Sequence, residues 1–144
     1  MSLRRKSREL ALQCLYQIDQ SGNRECAIDD LKVHFDVNVK AASYAQELVS
    51  GIQVHLSEVD GMIEKYAKNW RLNRMAVIDR NLLRIATYEF LYKNDIPGSV
   101  IIDEAIEIAK RYSSDDAVSF INGILDPICQ VTENKRQNVD GVTG

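Results

Sequence analysis

Apolar residues recur every three or four positions along most of the chain, which is the spacing of one face of an α-helix. Short polar, glycine-containing or proline-containing segments such as SGNREC and IPGS separate the apolar stripes. Seven stripes are present, marked in turn by Ala11, Cys14, Leu15 and Ile18; Ile28, Leu31 and Phe35; Ala41, Tyr44, Ala45, Leu48, Ile52, Leu56 and Val59; Met62, Ile63, Tyr66, Ala67 and Trp70; Ile78, Leu82, Ile85 and Ala86; Ile102, Ala105, Ile106 and Ala109; and Ala117, Phe120, Ile121, Ile124, Leu125 and Ile128. No stretch alternates as a strand would, so the pattern predicts an all-α fold of seven helices.

The fifth stripe is the most apolar and predicts a central helix. Val77, Leu83, Phe90 and Leu91 widen it over most of the helix circumference, as in a helix buried on all sides. Glu89 falls on the same stripe, and a buried carboxylate is costly unless it is paired. We therefore expect Glu89 to form an internal hydrogen bond or ion pair with an arginine or a tyrosine.

The chain is expected to form one domain over residues 1–132. Two sub-bundles, about 1–58 and 59–132, would share the central helix. Residues 133–144 show no apolar periodicity and predict a flexible tail. Inside the last stripe, Gly123 follows Asn122, and its missing side chain predicts a close neighbour there.

Composition indicates a soluble globular protein, with 45% hydrophobic and 27% charged residues and a net charge of -3. No run of 18 apolar residues occurs, and Glu9 and Gln13 interrupt any signal-peptide pattern. Cys14 and Cys129 lie on apolar stripes and are predicted to be core residues, in keeping with a reducing cytoplasm.

The densest positive charge stands where the first helix begins, at Arg4, Arg5, Lys6 and Arg8. The N-terminal end of a helix dipole favours acidic residues, so these cations do not stabilise their own helix. Either this is a solvated, frayed end, or an anion from another molecule binds there.

Recognisable enzyme and metal motifs such as CxxC, HExxH, the P-loop and GxGxxG do not occur. His55 and Glu58 form the only His-x-x-Glu pair and are interpreted as structural. Asp103, Glu104 and Glu107 are interpreted as acids that complement a helix dipole. We therefore expect no catalytic residues, no metal and no cofactor.

Three segments together resemble the NusB family of bacterial transcription antitermination factors. They are RRKSRELALQCLYQ; DRNLLRIATYEFLY with IPGSVIIDEAIEIAKRY; and SFINGILD, and the resemblance extends over residues 3–130. It implies two perpendicular three-helix bundles with a long central helix.

The resemblance also implies a function by binding. The protein would bind single-stranded boxA RNA of ribosomal RNA leaders together with the small-ribosomal-subunit protein NusE. It would promote read-through by RNA polymerase and ribosomal RNA synthesis, in a complex with other Nus factors. The family includes monomers and homodimers.

The implied RNA-binding residues are Arg4, Arg5, Lys6, Arg8, Tyr66, Tyr112, Asp116, Phe120 and Asn122. The cations would neutralise phosphates on an arm that is mobile without RNA, and the aromatic residues would stack on bases. Core packing for Phe120 and a helix-dipole role for Asp116 are the alternatives.

The implied protein-partner residues are Asp79, Arg80 and Leu83, with a solvated helix edge as the alternative for Arg80. Ser119 and Asp103 depart from the family pattern, which usually has Lys and Asn there. Two other interpretations compete. One is a non-enzymatic helical scaffold that binds proteins or anionic surfaces through its basic N-terminus. The other is the NusB-like domain of ribosomal RNA cytosine methyltransferases, which we disfavour because 144 residues leave no room for the methyltransferase.

Overall fold

The computed structural model describes residues 3–22, 38–68 and 70–143, and these ranges contain α-helices and no β-strand. The six helices are α1 (Leu3–Ser21), α2 (Val39–Val54), α3 (Leu56–Tyr66), α4 (Val77–Tyr92), α5 (Gly98–Tyr112) and α6 (Asp115–Thr143), and a 3₁₀ turn (Leu72–Arg74) precedes α4. The all-α prediction is confirmed. The predicted second helix, marked by Ile28, Leu31 and Phe35, lies outside the described residues.

Helix α4 is the centre of the fold, as its apolar pattern predicted. Among the described helices it packs against all five others. Ten of its residues are buried, and they include the polar Asp79, Asn81, Thr87 and Glu89. Because polar groups in such a position need internal partners, α4 also organises the hydrogen bonds described below.

The helix predicted from the third stripe ends earlier than the stripe does. The chain leaves helical geometry at His55, where φ is -106° and ψ is 25°, so Leu56 and Val59 belong to α3. No proline or glycine stands at this position. Apolar spacing continues across the break because α2 and α3 both turn their apolar faces to the same core.

Helix α6 continues to Thr143 and includes the segment that we expected to be a loose tail. Periodicity reports which residues are buried, whereas helix formation depends on the backbone. Residues 133–143 contain no proline and a single glycine, Gly141, so no strong helix-breaking signal ends α6 at residue 132.

Two glycines permit close helix contacts. A Cβ on Gly51 of α2 would collide with the Tyr88 phenol of α4, and one on Gly98 would collide with the side chains of Cys129 and Glu133 on α6. Cys129 is buried, as is Cys14 on α1, so the prediction that both are core residues is confirmed.

Candidate nucleic-acid interface

Arg8 lies inside the protein. It is 3% exposed, and its Nε and Nη2 atoms donate to Oε1 and Oε2 of Glu89 at 2.8 Å and 2.9 Å. The Tyr44 hydroxyl donates to Glu89 Oε2 at 2.6 Å. The predicted arginine and tyrosine partners of Glu89 are thereby confirmed. Burial, reinforced by the Glu89 charge, raises the pKa of Tyr44 and keeps its proton in place.

Arg5 is also paired within the protein. Its Nε and Nη2 atoms donate to Glu104 Oε2 and Oε1 at 2.7 Å and 3.0 Å. The hydrogen bonds from Arg5 hold the pKa of the Glu104 carboxyl below its ordinary value, although partial burial opposes them. Glu104 therefore does more than complement a dipole; the first turn of α5 contains no acidic residue.

The prediction of a mobile arm is wrong, because the arm is the first two turns of α1 and its own ion pairs hold it. The Cζ atom of Arg4 lies 4.1 Å from the Tyr44 ring centroid, and its Nη2 atom lies 3.9 Å from Asp95 Oδ2. That exposed ion pair contributes little. Lys6 is exposed and forms no ion pair with the described part of the chain. Arg4 and Lys6 are thus the arm cations most accessible to a phosphate.

Two predicted base-stacking residues come together between the end of α3 and the middle of α6. Tyr66 and Phe120 line an open apolar groove of about 440 Å³, together with Trp70, Gly123 and Pro127. Phe120 is half-buried against the core, and its ring centroid lies 5.7 Å from that of Trp70 at an interplanar angle of 75°. Its predicted roles in packing and in an exposed site are therefore compatible.

Gly123 faces this groove, and the expectation of a close neighbour there is wrong. A Cβ built on Gly123 would meet no atom within 4 Å among the described residues. The glycine widens the groove and does not admit a packed side chain.

The remaining predicted RNA-binding residues lie at the end of α5 and in the N-terminal part of α6. Tyr112 is exposed at the end of α5, and its hydroxyl donates to Glu9 at 3.4 Å. Asp116 is exposed in the first turn of α6, where it also complements the helix dipole, and Asn122 is exposed farther along α6. Tyr112 does not line the groove of Tyr66 and Phe120; it lines a different one.

That second groove, about 340 Å³ in volume, lies beside the predicted partner residues. It is lined by Glu9, Leu12, Gln13, Tyr16, Gln17, Ile78 and Tyr112. The sequence reasoning missed Tyr16, which is 43% exposed on α1. The available signal was an aromatic residue off the buried stripe of its helix, next to Leu15.

The three predicted partner residues differ in their burial and in their contacts. Leu83 is 0% exposed, so in this structure it cannot contact a partner; the widened stripe of α4 buries it. Asp79 is largely buried, and its Oδ1 accepts a 2.6 Å hydrogen bond from the Ser113 hydroxyl. Arg80 is half-buried and donates to Asp19 at 3.0 Å, so it is not a solvated edge residue.

The Asp19 carboxylate joins α1 to α4. It accepts hydrogen bonds from Asn81 at 2.8 Å and from Arg84 at 3.3 Å in addition to Arg80. Burial alone would raise the pKa of Asp19, but these hydrogen bonds and charges outweigh it and the pKa is lowered. Arg84 continues the network to Asp60 on α3 at 2.8 Å, so the network joins α1, α3 and α4.

His55 has a structural environment, as predicted. Its ring stacks on Tyr92 with centroids 4.4 Å apart, and the Tyr92 hydroxyl donates to Glu58. Within the described ranges, no cluster of three or more histidine, cysteine, aspartate or glutamate side chains is arranged to hold a metal ion. No helix in the described part of the chain has the length and hydropathy needed to cross a membrane.

The described residues form an all-α fold built around one buried helix, α4. Its surface carries cations at the start of α1 and grooves between the helices. The sequence model of the NusB family matches residues 5–130. The chain belongs to the NusB family.

Relatives and solved structures agree over most of the chain. The transcription antitermination protein NusB of Desulfitobacterium hafniense is 45% identical over 135 residues, covering 92% of this chain and 91% of the relative. That of Geobacter sp. is 42% identical over 144 residues, covering 94% and 99%. T. maritima NusB is 41% identical, with a TM-score of 0.77 and coverage of 88% and 90%.

One of the similar structures is a complex with a second protein and RNA. A chain of the crystal structure of the antitermination factors NusB and NusE in complex with double-stranded RNA is 26% identical to this chain. It has a TM-score of 0.81, with 91% of this chain and 98% of that chain covered.

Proposed function

We propose that this protein is a transcription antitermination factor that binds single-stranded boxA RNA of ribosomal RNA leaders together with NusE. The observation that carries the proposal is the likeness, over nearly the whole chain, to a chain of the crystal structure of NusB and NusE in complex with double-stranded RNA. In this role it promotes read-through by RNA polymerase and ribosomal RNA synthesis, acts in the cytoplasm beside other Nus factors, and works by binding, without catalysis.

In our proposal, phosphate binding at the N-terminus depends on Arg4 and Lys6. Both are exposed, whereas Arg8 is buried and its guanidinium is paired with Glu89. Arg5 contributes only to the extent that a phosphate competes with Glu104 for its guanidinium. Two accessible cations imply a shallower salt dependence than four, because each neutralised phosphate contributes roughly 0.7 to the salt exponent for single strands.

Base recognition, in this proposal, depends on Tyr66 and Phe120 in the first groove and on Tyr112 at the end of α5. Asp116 and Asn122 offer polar groups that a base edge can bond. A carboxylate repels phosphates and accepts from base amino groups, so Asp116 contributes selectivity more than affinity.

We assign the NusE surface to the groove of Leu12, Tyr16 and Ile78, next to Asp79 and Arg80. An exposed aromatic in an apolar groove with a polar rim is the composition of a protein interface. The finer architecture that we propose is one domain of seven helices in two sub-bundles, in which the sequence pattern of Ile28, Leu31 and Phe35 marks the second helix. A homodimer would compete with the partners if it covered the same surfaces.

The test measures fluorescence anisotropy of a labelled boxA RNA and of a scrambled RNA, with and without NusE, over a range of salt concentrations. We expect preference for boxA, and a weaker and less salt-dependent complex for the Arg4→Glu/Lys6→Glu double variant. The matched control is Lys40→Glu/Lys135→Glu, which changes net charge equally at two other exposed lysines. Equal affinity for boxA RNA, scrambled RNA, DNA and anionic vesicles would refute the assignment and favour a scaffold for anionic surfaces.

A further inference from the structure

Tyr44 of α2 contacts both the buried ion pair and the arm of α1. Its hydroxyl donates to Glu89 Oε2 at 2.6 Å, and Glu89 is 1% exposed. Its ring lies against Arg4, whose guanidinium carbon Cζ is 4.1 Å from the ring centroid. That distance is well inside the range of about 6 Å over which a cation is attracted to the face of a tyrosine. One tyrosine therefore connects the core of the protein to an exposed cation of the arm.

The position of the Tyr44 ring is fixed by its surroundings. The ring is partly buried against the hydrophobic core, and its hydroxyl bond to a carboxylate is of the strong, charge-assisted kind. Glu89 is held in turn by two hydrogen bonds from Arg8. Because the ring is constrained both by packing and through its hydroxyl, it offers a rigid surface to the side chain that lies on it.

Arg4 differs from the other arginines of the arm in what holds it. Arg5 and Arg8 each donate two hydrogen bonds to a single carboxylate. The ion pair of Arg4 with Asp95 is longer, at 3.9 Å, and the Asp95 side chain is 71% exposed. Because an exposed pair of this kind contributes little, the Tyr44 ring is the stronger of these two constraints on Arg4.

The contact with the ring leaves Arg4 able to bind an anion. The N–H groups of a guanidinium lie in its plane and can donate two parallel hydrogen bonds to a phosphate. A carboxylate occupies these N–H groups, whereas a ring in contact with Cζ does not. The Arg4 side chain is also 47% exposed, so a phosphate can reach it from solvent.

A second cation lies near the same ring but is neutralised. Lys93, the residue after α4, has its Nζ atom 5.5 Å from the Tyr44 ring centroid and forms an ion pair with Glu47. The Lys93 side chain is 18% exposed. Of the two cations at this ring, Arg4 is therefore the one that is available to a ligand.

We propose that Tyr44 is a positioning residue for RNA binding, whose ring holds the Arg4 guanidinium ready for a backbone phosphate. The inference rests on the proposed RNA-binding function and adds a residue that lies on α2, outside the arm and outside both grooves. The gain is entropic, because an arginine that is already held loses less side-chain freedom when a phosphate binds it. The ordering cost of one such side chain corresponds to between about 2-fold and about 12-fold in affinity.

The first test observes Arg4 directly by NMR in the wild-type protein. Protons above the face of an aromatic ring are shielded, so the Hδ and Hε protons of Arg4 should be shifted upfield, and Tyr44→Leu should abolish the shift. The shift should persist in the presence of saturating RNA, because the ring and the phosphate contact different parts of the guanidinium. Absence of the shift in the free protein, or its loss when RNA binds, would overturn the proposal.

The second test measures anisotropy of labelled boxA RNA with variants whose fold is verified by circular dichroism. Tyr44→Leu removes the ring and should bind about 2-fold to about 12-fold more weakly, with an unaltered salt exponent because the charge of Arg4 remains. Arg4→Gln should lower the exponent by roughly 0.7. Tyr44→Phe should lose stability, because Glu89 loses a hydrogen bond, but should keep most of the RNA affinity. A purely structural role of Tyr44 would not divide stability and affinity in this way.

A double-mutant cycle assigns the effect to Arg4. In the Arg4→Gln background, Tyr44→Leu should cause no further loss of affinity, because the ring then has no guanidinium to position. The matched control is Tyr92→Leu, the same exchange at a partly exposed tyrosine of α4 whose ring stacks on His55. It should bind RNA as the wild type does.

The outcomes separate this inference from the proposed function. Wild-type affinity of Tyr44→Leu, or an equal loss of affinity with and without Arg4, would overturn the positioning role and leave RNA binding by the protein intact. Equal losses of affinity in Tyr44→Phe and Tyr44→Leu would assign the effect to the hydroxyl and would overturn it also. If the wild type binds no RNA by anisotropy, the proposed function fails and this inference fails with it.

Discussion

Replacing Arg8 by methionine should damage the stability of the protein and not its contact with RNA. The change removes both guanidinium hydrogen bonds to Glu89, whose carboxylate is 1% exposed and keeps only the Tyr44 hydroxyl as a partner. Removing one member of a buried ion pair costs about 3–5 kcal/mol because the other charge is left uncompensated. For a chain of this size the loss corresponds to a melting temperature lower by roughly 6–20 °C.

The assay is thermal and urea denaturation followed by circular dichroism. A double variant, Arg8→Met/Glu89→Gln, removes both charges but retains an oxygen that can accept from Tyr44. It should be more stable than the sum of the single changes predicts, by about 0.5–3 kcal/mol. Arg4→Met is the matched control at an exposed position of the same helix and should change stability by no more than about 0.5 kcal/mol.

RNA binding separates the two roles of the arm. At a temperature where Arg8→Met is fully folded, its RNA affinity and salt exponent should equal those of the wild type, because the Arg8 guanidinium is buried and paired with Glu89. If Arg8→Met kept wild-type stability but lost RNA affinity, Arg8 would be a phosphate ligand and the reasoning from burial would be refuted.

Three further changes test other contacts. Glu104→Gln should remove the carboxylate that competes with a phosphate for Arg5 and so strengthen RNA binding at low salt by anisotropy, with a steeper salt exponent. The same variant should lose less stability on acidification: because Arg5 lowers the pKa of Glu104 from its ordinary 4.5, the wild-type contribution is complete above that value and lost as pH falls through the lowered pKa. Gly51→Ala should destabilise by about 1–3 kcal/mol in urea, because its Cβ would overlap Tyr88. Gly61→Ala on α3, where a Cβ meets nothing, should instead stabilise by about 0.5–1 kcal/mol.

Each of these changes has an outcome that would contradict it. Unaltered RNA binding by Glu104→Gln would mean that Arg5 takes no part in phosphate binding even when released. A stability-pH profile that is the same with and without Glu104 would remove the carboxylate from the acid transition. Equal effects of alanine at positions 51 and 61 would show that helix propensity, not the Tyr88 contact, determines the response.

The central helix could be predicted because its signal is local. Apolar residues on nearly every side of α4 can only be satisfied by neighbours all around, and that is where the structure places it. The same pattern also indicated that Leu83 is buried, because Leu83 is one of the residues that widen the apolar stripe. A residue that is buried on all sides of its helix cannot also contact a partner, so Leu83 was a poor candidate for the partner surface.

Which residues form the ion pairs could not be predicted from local patterns, because the partners are far apart in sequence. Arg8 and Glu89 are 81 positions apart, and Arg5 and Glu104 are 99 apart. One signal was nevertheless available. Arg8 precedes Ala11 and Leu15 of the apolar stripe by three and seven positions, so it lies on the buried side of α1, whereas Lys6 precedes Ala11 by five. A basic run on a helix therefore has to be divided by face before its charge is counted.

The exposure of Trp70 and the positive charge of residues 64–74 were missed because neither feature stands out in the sequence. The cations of residues 64–74 are spaced among neutral residues and do not form a run. Trp70 continued the fourth apolar stripe, and α3 ends at Tyr66, before the stripe does. Only the end of that helix turns the indole from a predicted core residue into an exposed one.

Helix α4 also determines how the protein should unfold. Since all five other described helices pack against it, no group of them has a complete interior without it. The protein should consequently unfold in one cooperative step, with coincident transitions by circular dichroism and by Trp70 fluorescence. Local opening should be confined to segments far from α4, and the most protected backbone amides should be those of α4 itself.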